Sequence, residues 1–451
     1  MKKKSLSMEV VNPDAAGIDV GSRSHYVAIG QKPGDVREFG VYNEDLLELL
    51  KWLQENNITT VAMESTGTYW QSLFATLQAA GLEVYLCNGK FTKNIKGRKT
   101  DVQDCQWIQK LHSLGLLTSS FLPDLATEQL RTYCRHRTSL LETSAMTTLK
   151  MQKYLRLLNL RLDVVVSDVC GLTGLAIIEA ICKGETNPTV LASLRHGNCR
   201  KSAEEIAKAL QSNGRKDYLF GLQQEFDLYK ILQAKIEACD VAIAKLLTEQ
   251  INQDQTKKAL QAEAKPHKKV NKNAPKHMDL NQVAYQYFDG VDLMGIEGVS
   301  HGTVIALMSE VGSEGIKKFA TAKQFASWLR LTPNTRISGG KVISKRIAKG
   351  SNRLKIALRQ AANAVGNLKD THLSDFFNRI SYRRGRTAAV SATARKLAVI
   401  IWNMIVKHVP YNPPSQYLFM DQKRKMKLVK KIRNKIAKLD LKPQDVGFSM
   451  N

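Results

Sequence analysis

The stretch AGIDVGSRSHYVAIG, from Ala16 to Gly30, predicts two short strands separated by a Gly-Ser turn. Apolar residues alternate or run together over four to seven positions in AGIDVG and HYVAIGQ. The segment VREFGVY, from Val36 to Tyr42, repeats this pattern, and glycine, serine and proline separate the three segments. The pattern indicates a meander of three antiparallel strands.

Helix and strand patterns alternate after this meander. The sequence predicts, in order, a helix over Asn43–Asn56, the strand TTVAMES, a helix over Tyr69–Ala80, the strand LEVYLCN and a helix that begins near Thr100. Strands that are first antiparallel and then alternate with helices are typical of a mixed α/β sheet covered by helices.

The rest of the chain reads as helical. Helix formers dominate from Ala126 to about Gln250, with apolar residues at three- and four-residue spacing, which indicates long helices in an antiparallel or intermolecular coiled coil. We therefore expect an α/β plus all-α protein with five parts: an α/β domain over 1–124, a long helical region over 125–253, a lysine-rich linker over 254–279, a helical domain over 280–410 and a basic tail over 411–451.

The charge of the 451-residue chain is strongly asymmetric. Its formal net charge is +26, yet residues 1–124 hold 13 basic and 14 acidic side chains, and the remainder holds 54 basic against 27 acidic. An excess of this size favours a polyanionic partner over an acidic small molecule. The expected nucleic-acid contact surface therefore lies beyond the first quarter of the chain.

Cysteine and hydropathy patterns exclude several classes of protein. The seven cysteines are scattered and form no CxxC pair, which argues against a disulfide framework and against a zinc site. Lys2-Lys3-Lys4 is not followed by an apolar signal core, and the apolar stretch from Leu397 to Val406 is about half the ~20 residues of a membrane span. We expect a cytoplasmic protein without a membrane partner.

Four acidic residues from separate elements are candidate metal ligands. Asp19 lies in the first predicted strand and Glu64 in the fourth, while Asp101 and Asp104 are three apart at a helix start and so share one face. Carboxylate oxygens are natural Mg²⁺ ligands, and two cations about 3.5–4 Å apart stabilise both oxygens of a phosphodiester reaction. The alternative for Asp101 and Asp104 is a stabilising interaction with the helix dipole.

A basic segment in the third domain is the second candidate. The residues from Thr332 to Arg359, TPNTRISGGKVISKRIAKGSNRLKIALR, hold eight basic side chains and no acid, which predicts a phosphate-binding surface unless acids from elsewhere neutralise it. We expect nucleic acid to contact Arg336, Lys341, Lys345, Arg346, Lys349 and Arg353.

Ser338 is the candidate nucleophile within this segment. It precedes Gly339-Gly340, where crowding is minimal and neighbouring cations can stabilise an alkoxide or a pentavalent phosphate. Composition alone favours an ordinary turn serine, and Ser344 and Ser351 are weaker rivals.

A glycine-containing turn precedes the basic segment. The residues from Gly295 to Gly312, GIEGVSHGTVIALMSEVG, place two glycines around a short apolar turn that opens a helix. Helix-hairpin-helix elements hold a nucleic-acid phosphate on backbone N–H groups in this way. A simple connecting turn is an equally good interpretation.

Taken together, GIDVGSRSHYVAI, AMESTGTYW, KTDVQDCQWIQKLHSLGLL and LRLTPNTRISGGKVISKRIAKGSNRLKIALRQAA resemble the insertion sequence one-ten family of transposases, in its eleven-eleven subgroup. The resemblance implies an RNase H-like (RuvC-like) first domain that binds Mg²⁺ through Asp19, Glu64, Asp101 and Asp104. It also implies a helical transposase domain in which Ser338 forms a covalent phosphoserine.

The resemblance further implies the partners and the location of the protein. The expected partners are donor and target DNA and a structured noncoding "bridge" RNA that guides the reaction. The expected assembly is a homo-oligomer, a dimer or tetramer, in which both domains meet, in a bacterial or archaeal cytoplasm and associated with the nucleoid.

The sequence thus predicts an RNA-guided DNA transposase or recombinase that performs phosphodiester strand transfer. Absence of a P-loop motif is consistent with a reaction that needs no high-energy cofactor. One alternative is an RNase H-like nuclease or junction resolvase that uses water as nucleophile. The other is a nucleic-acid-binding scaffold without catalytic activity.

Overall fold

The computed structural model describes residues 9–92, 100–262, 270–344, 346–347, 350, 352–413 and 418–439. Contacts divide the chain into two compact units, residues 1–122 and residues 123–451. The finer division into five parts stays a prediction.

A five-stranded mixed sheet forms the centre of the N-terminal unit. Its strands are β1 (Ala15–Val20), β2 (His25–Ala28), β3 (Val36–Phe39), β4 (Thr60–Glu64) and β5 (Glu83–Cys87). They lie in the order β3-β2-β1-β4-β5. Strands β1, β2 and β3 pair antiparallel, and β4 pairs parallel with both β1 and β5. The predicted meander and mixed α/β sheet are confirmed.

Helices cover both faces of this sheet. They are α1 (Asn43–Glu55), α2 (Trp70–Ala79), the short α3 (Gly89–Thr92) and α4 (Asp101–Ser113). Ile18 and Met63 on one face pack in a buried core with Leu49 of α1 and Leu73 of α2. The opposite face contributes Ala62 and Cys87 to a smaller cluster with Ile108 of α4. Alternation along each strand thus assigns its residues to the α1–α2 side or to the α4 side.

Two long helices dominate the first half of the second unit. α5 (Leu125–Leu157) and α10 (Lys216–Asn252) pack as an antiparallel pair within one chain, as the ion pair between Lys150 and Glu225 and the ion pair between Arg137 and Asp240 show. Four short helices connect them and form a separate hydrophobic core with the adjoining ends of α5 and α10. They are α6 (Leu162–Val165), α7 (Leu172–Cys182), α8 (Pro188–Ser193) and α9 (Ala203–Ala209).

A polar layer lies in the middle of this helix pair. The ion pair between Arg137 and Asp240 is buried, with the side chains only 9% and 1% exposed. Asp240 also accepts a hydrogen bond from the Lys276 amide at 3.2 Å, and Arg137 donates to the Asn273 carbonyl at 2.9 Å. Every polar group of the pair therefore gains a partner, which a buried ion pair requires.

These contacts also order part of the segment 254–279, which composition predicts to be a solvated linker. It contains the short helix α11 (Gln255–Ala259), and its residues near Asn273 pack against the long helices because the buried ion pair needs backbone hydrogen-bond partners. Residues 263–269 of the segment lie outside the described residues.

The remainder of the second unit is mostly helical, as predicted. The helices are α12 (Leu280–Tyr287), α13 (His301–Glu310), α14 (Ser313–Lys317), α15 (Ala322–Trp328), α16 (Arg353–Val365), α17 (His372–Arg384), α18 (Arg386–Lys407) and α19 (Leu418–Lys438). Of the described helices, only α18 has the length and hydropathy of a membrane span. Ten of its residues are buried, and it packs against α14 to α17, as the core helix of a folded domain does.

Burial of two histidines predicts that acid weakens the N-terminal unit. His25 and His112 are 2% and 1% exposed, and burial lowers the pKa of both. The unfolded chain therefore binds protons at a higher pH than the folded unit does, so the stability present above the ordinary histidine pKa of ~6.5 declines as pH falls below it. Hydrogen exchange of peptides from β1 and β4 should accelerate between pH 7.5 and pH 5.5, after correction for intrinsic rates.

His112→Gln should flatten this pH dependence because it removes one of the two groups. His136→Gln is the matched control, since His136 is exposed on α5, and it should leave the dependence unchanged. An equal pH dependence in His112→Gln and the wild-type protein would show that His112 does not contribute to it.

Candidate functional site

Strand register places two of the predicted acids side by side. β1 and β4 are parallel neighbours, and Ile18 pairs with Met63, so the next residues along, Asp19 and Glu64, lie in the same row. Neighbouring strands are about 4.8 Å apart, and residues in one row point to the same face. Both side chains belong to the α4 side because Ile18 and Met63 belong to the α1–α2 side.

The first turns of α4 cover this face. A Cβ atom on Gly17 would lie 2.5 Å from the Cys105 carbonyl oxygen and 2.1 Å from the Gln109 amide nitrogen, so the helix backbone contacts β1 directly. The Gln109 side chain also donates a hydrogen bond to the Ala15 carbonyl at 3.1 Å. Gly17 thus lies against the helix turn from Cys105 to Gln109. The carboxylate of Asp19, two places further along β1, acts on the Cys105 thiol, so Asp19 lies on the N-terminal side of this contact, towards the start of α4.

The other two acids occupy that start. α4 begins at Asp101, and the Thr100 hydroxyl accepts a hydrogen bond from the Gln103 amide at 3.3 Å as its N-cap. Burial raises the pKa of Cys105 to about 12, with smaller contributions in the same direction from the carboxylates of Asp19 and Asp101. Both carboxylates thus lie within electrostatic range of the same thiol.

The row that contains Asp19 and Glu64 crosses all five strands. In the order of the strands across the sheet, its residues are Glu38, Tyr26, Asp19, Glu64 and Cys87. Interaction with the neighbouring Glu38 side chain raises the pKa of Tyr26. Burial raises the pKa of the Cys87 thiol to about 11, and Glu64 adds to the effect. The sequence did not predict that Tyr26 and Glu38 lie in the same row as Asp19. Alternation along the three strands of the predicted meander is the signal that could have placed them on the same face.

Glu64 is engaged by a neighbouring hydroxyl. The Thr92 hydroxyl donates a hydrogen bond to Glu64 Oε2 at 2.5 Å, and Glu64 Oε1 lies 2.3 Å from the position that a Cβ on Gly89 would take. Among the described residues, no three His, Cys, Asp or Glu side chains form a group that could hold a metal ion. The donor set suits Mg²⁺, since carboxylate oxygens are hard ligands, but the side chains share a face without closing around an ion.

Ser338 lies in the other unit, at the tip of an exposed hairpin. β6 (Arg336–Ser338) and β7 (Lys341–Ser344) pair antiparallel around Gly339 and Gly340. These glycines have φ of 53° and 73°, which a two-residue type I′ turn requires and which other residues rarely adopt. The helical pattern of this part of the sequence does not predict the hairpin, although β-branched residues flanking Gly-Gly are its usual signal.

Several of the predicted nucleic-acid contacts lie in this hairpin or follow it in sequence. Arg336, Lys341, Arg346 and Arg353 are exposed, whereas Lys345 and Lys349 lie outside the described residues. Of the rival serines, Ser344 accepts a hydrogen bond from the Arg346 amide at 3.2 Å, and Ser351 also lies outside the described residues. The basic segment is not uniformly exposed, because Lys355 is only 8% exposed.

The predicted glycine turn precedes α13. Gly298 has φ of 79°, and a Cβ there would lie 2.6 Å from the Ala361 carbonyl oxygen, so only glycine fits between the turn and α16. A cavity of about 940 Å³ lies beside this turn, between α5, α13 and α16, and Arg353 lines it. Both the N-terminal residues of α13 and a predicted phosphate contact therefore face one open groove.

Comparison with known proteins identifies two domains. Residues 16–159 match a model of the DEDD transposase domain of the IS110 (insertion sequence one-ten) family. Residues 292–378 match a model described as transposase of the IS116/IS110/IS902 family. The first match contains all four acids and the second contains Ser338.

A curated relative gives a weaker similarity. The chain is 29% identical over 126 residues to a probable family 20 transposase of Pseudomonas aeruginosa PAO1. The aligned region covers 27% of this chain and 36% of that protein. The chain thus matches about a third of the length of that relative.

The contact between β1 and α4 predicts that Gly17→Ala is strongly destabilising. A methyl group would collide with helix backbone, which cannot rotate away as a side chain can, so we expect a loss of about 3 kcal/mol and displacement of α4. Urea unfolding and hydrogen exchange of α4 peptides measure both effects. Gly34→Ala is the control, since nothing lies within 4 Å of its Cβ position, and it should change stability by less than about 0.5 kcal/mol. Wild-type stability of Gly17→Ala would contradict this packing.

Proposed function

We propose that this chain, which carries the DEDD domain and the second transposase domain of the IS110 family, cleaves and rejoins DNA strands of its own mobile element. The observation that carries the proposal is the register of β1 and β4, which puts Asp19 beside Glu64 on the face that the start of α4 covers. Carboxylates seldom share a half-buried face without a cation, because like charges repel.

Asp19, Glu64, Asp101 and Asp104 would hold Mg²⁺ in this proposal. The bound cations would stabilise the negative charge that develops on the attacking and leaving oxygens. A bound cation would compete with the hydrogen bond that Glu64 accepts from Thr92, so binding would cost at most that one hydrogen bond. The strand order β3-β2-β1-β4-β5 supports the further proposal of an RNase H-like fold.

Ser338 would be the nucleophile. Its exposed position at the tip of a hairpin lets a DNA phosphate reach the hydroxyl, and the neighbouring cations would neutralise that phosphate. Attack by Ser338 exchanges one phosphodiester bond for another, so the energy needed for rejoining stays in the phosphoserine. No high-energy cofactor is required for such a reaction.

Donor DNA, target DNA and a structured noncoding guide RNA would occupy the basic surface. The exposed cations Arg336, Lys341, Arg346 and Arg353 support phosphate contacts there, and Lys345 and Lys349 belong to the same proposal. An RNA that pairs with DNA would supply sequence recognition that backbone contacts cannot supply. The proposed assembly is a homodimer or homotetramer.

The guide-RNA proposal predicts a specific RNA in the purified protein. When the gene is expressed with its flanking DNA, sequencing of copurified RNA should recover one discrete noncoding species from that flank. Expression of the same protein without the flank is the control and should lose this species. A random sample of cellular RNA in both preparations would contradict RNA guidance.

The catalytic proposal is tested with plasmid DNA that carries the element, Mg²⁺ and the copurified RNA. Wild-type protein should form a covalent protein–DNA adduct that survives denaturing electrophoresis. Asp19→Asn should reduce its rate by at least about 10²-fold because it removes a charge that holds the cation, and Ser338→Ala should abolish it because no hydroxyl remains.

The two variants also separate the alternatives. Cleavage by Ser338→Ala at the wild-type rate would indicate a nuclease that uses water. Binding of nucleic acid without cleavage by the wild-type protein, with or without Mg²⁺, would indicate a scaffold. Ser344→Ala is the matched control, since its hydroxyl accepts a hydrogen bond from a nearby backbone amide, and it should retain adduct formation.

A further inference from the structure

The hairpin that carries Ser338 also fixes the position of one particular cation. Ser338 and Lys341 are directly paired across β6 and β7. In an antiparallel pair, residues opposite each other have Cβ atoms about 4.5–5.5 Å apart and side chains on the same face. The side chains of Ser338 and Lys341 therefore project from the same face of the hairpin, and the ammonium can approach a phosphate that contacts the Ser338 hydroxyl.

The turn makes this pairing geometrically tight. Gly339 and Gly340 form a two-residue loop, and a loop of this length fixes which residues of the two strands pair. The next pair, Ile337 with Val342, points to the opposite face. The register shift between Arg336 and Ile337 disturbs the pairing only further from the tip.

Nothing in the described part of the chain neutralises Lys341. Its side chain is exposed, and none of the ion pairs or side-chain hydrogen bonds of the described residues includes it. A charged ammonium next to the candidate nucleophile thus remains available for an anion that approaches the hairpin tip.

We propose that Lys341 is a catalytic residue that contacts a non-bridging oxygen of the phosphate attacked by Ser338. This inference rests on the proposed function. The Ser338 Oγ–P bond forms as one P–O bond to deoxyribose breaks; the serine proton passes to water, and the leaving oxygen takes up a proton from water. Lys341 keeps its own proton throughout.

The role is electrostatic because a charged ammonium has no lone pair with which to accept the serine proton. Negative charge on the phosphate oxygens moves and increases as five groups crowd around phosphorus, and a cation fixed beside them stabilises this state more than the ground state. A cation that only attracted DNA would stabilise both states equally and would change affinity instead of rate.

The experiment measures single-turnover adduct formation at saturating DNA, together with the DNA affinity at the same salt concentration. Lys341→Met should slow the saturated rate by about 10²-fold or more, as loss of one transition-state donor does, while the affinity changes by less than about threefold. Lys341→Arg should restore the rate to within about tenfold because it restores the charge. Lys323→Met, which removes an exposed lysine from α15, is the control and should match the wild-type protein.

Each outcome separates this inference from the proposed function. If Ser338→Ala still forms the adduct, the proposed function fails. If Ser338→Ala is inactive but Lys341→Met reacts at the wild-type saturated rate, the role of Lys341 is overturned and the serine mechanism stands. A Lys341→Met protein with weakened affinity and an unchanged saturated rate would likewise overturn it and leave Lys341 with only the DNA-binding contact of the proposed function.

Discussion

The close approach of α4 to β1 at Gly17 is the contact on which the N-terminal unit depends. Because residue 17 has no side chain, the helix backbone reaches the strand at Cys105 and Gln109. The carboxylates of Asp19 and Asp101 then lie within electrostatic range of the same Cys105 thiol. A larger residue there would lift the helix and separate Asp101 and Asp104 from the other acids. The absence of a side chain at Gly17 therefore determines whether the acids of α4 can lie near those of the sheet.

The sequence predicted most of the N-terminal unit because its signals are local. Alternation, turn residues and the helix pattern that begins near Thr100 place β1 and the start of α4 within one or two residues. The hydrogen bond from Thr92 to Glu64 could not be predicted, because it depends on how the chain after β5 returns to β4. The metal-ligand assignment itself stays a prediction.

The second unit shows where local reasoning fails. The helical pattern predicted α5 and α10. The backbone near Asn273, however, is held in place by the buried ion pair, and Arg137 of that pair lies 136 positions earlier in the sequence. Composition alone describes that segment as polar and solvated. The hairpin at Ser338 was missed for a different reason. Helices precede and follow it in the sequence, and its short strands are not buried against a core, since all its residues except the half-buried Ser344 are exposed.

The ion pair between Arg137 and Asp240 also fixes the register of the two long helices. A shift of one heptad would bury two uncompensated charges, at a cost of several kcal/mol, so α5 and α10 have one allowed register. A 33-residue helix spans about 50 Å. The small core formed by α6 to α9 is consequently held at one end of the helix pair, at a set distance from the other end.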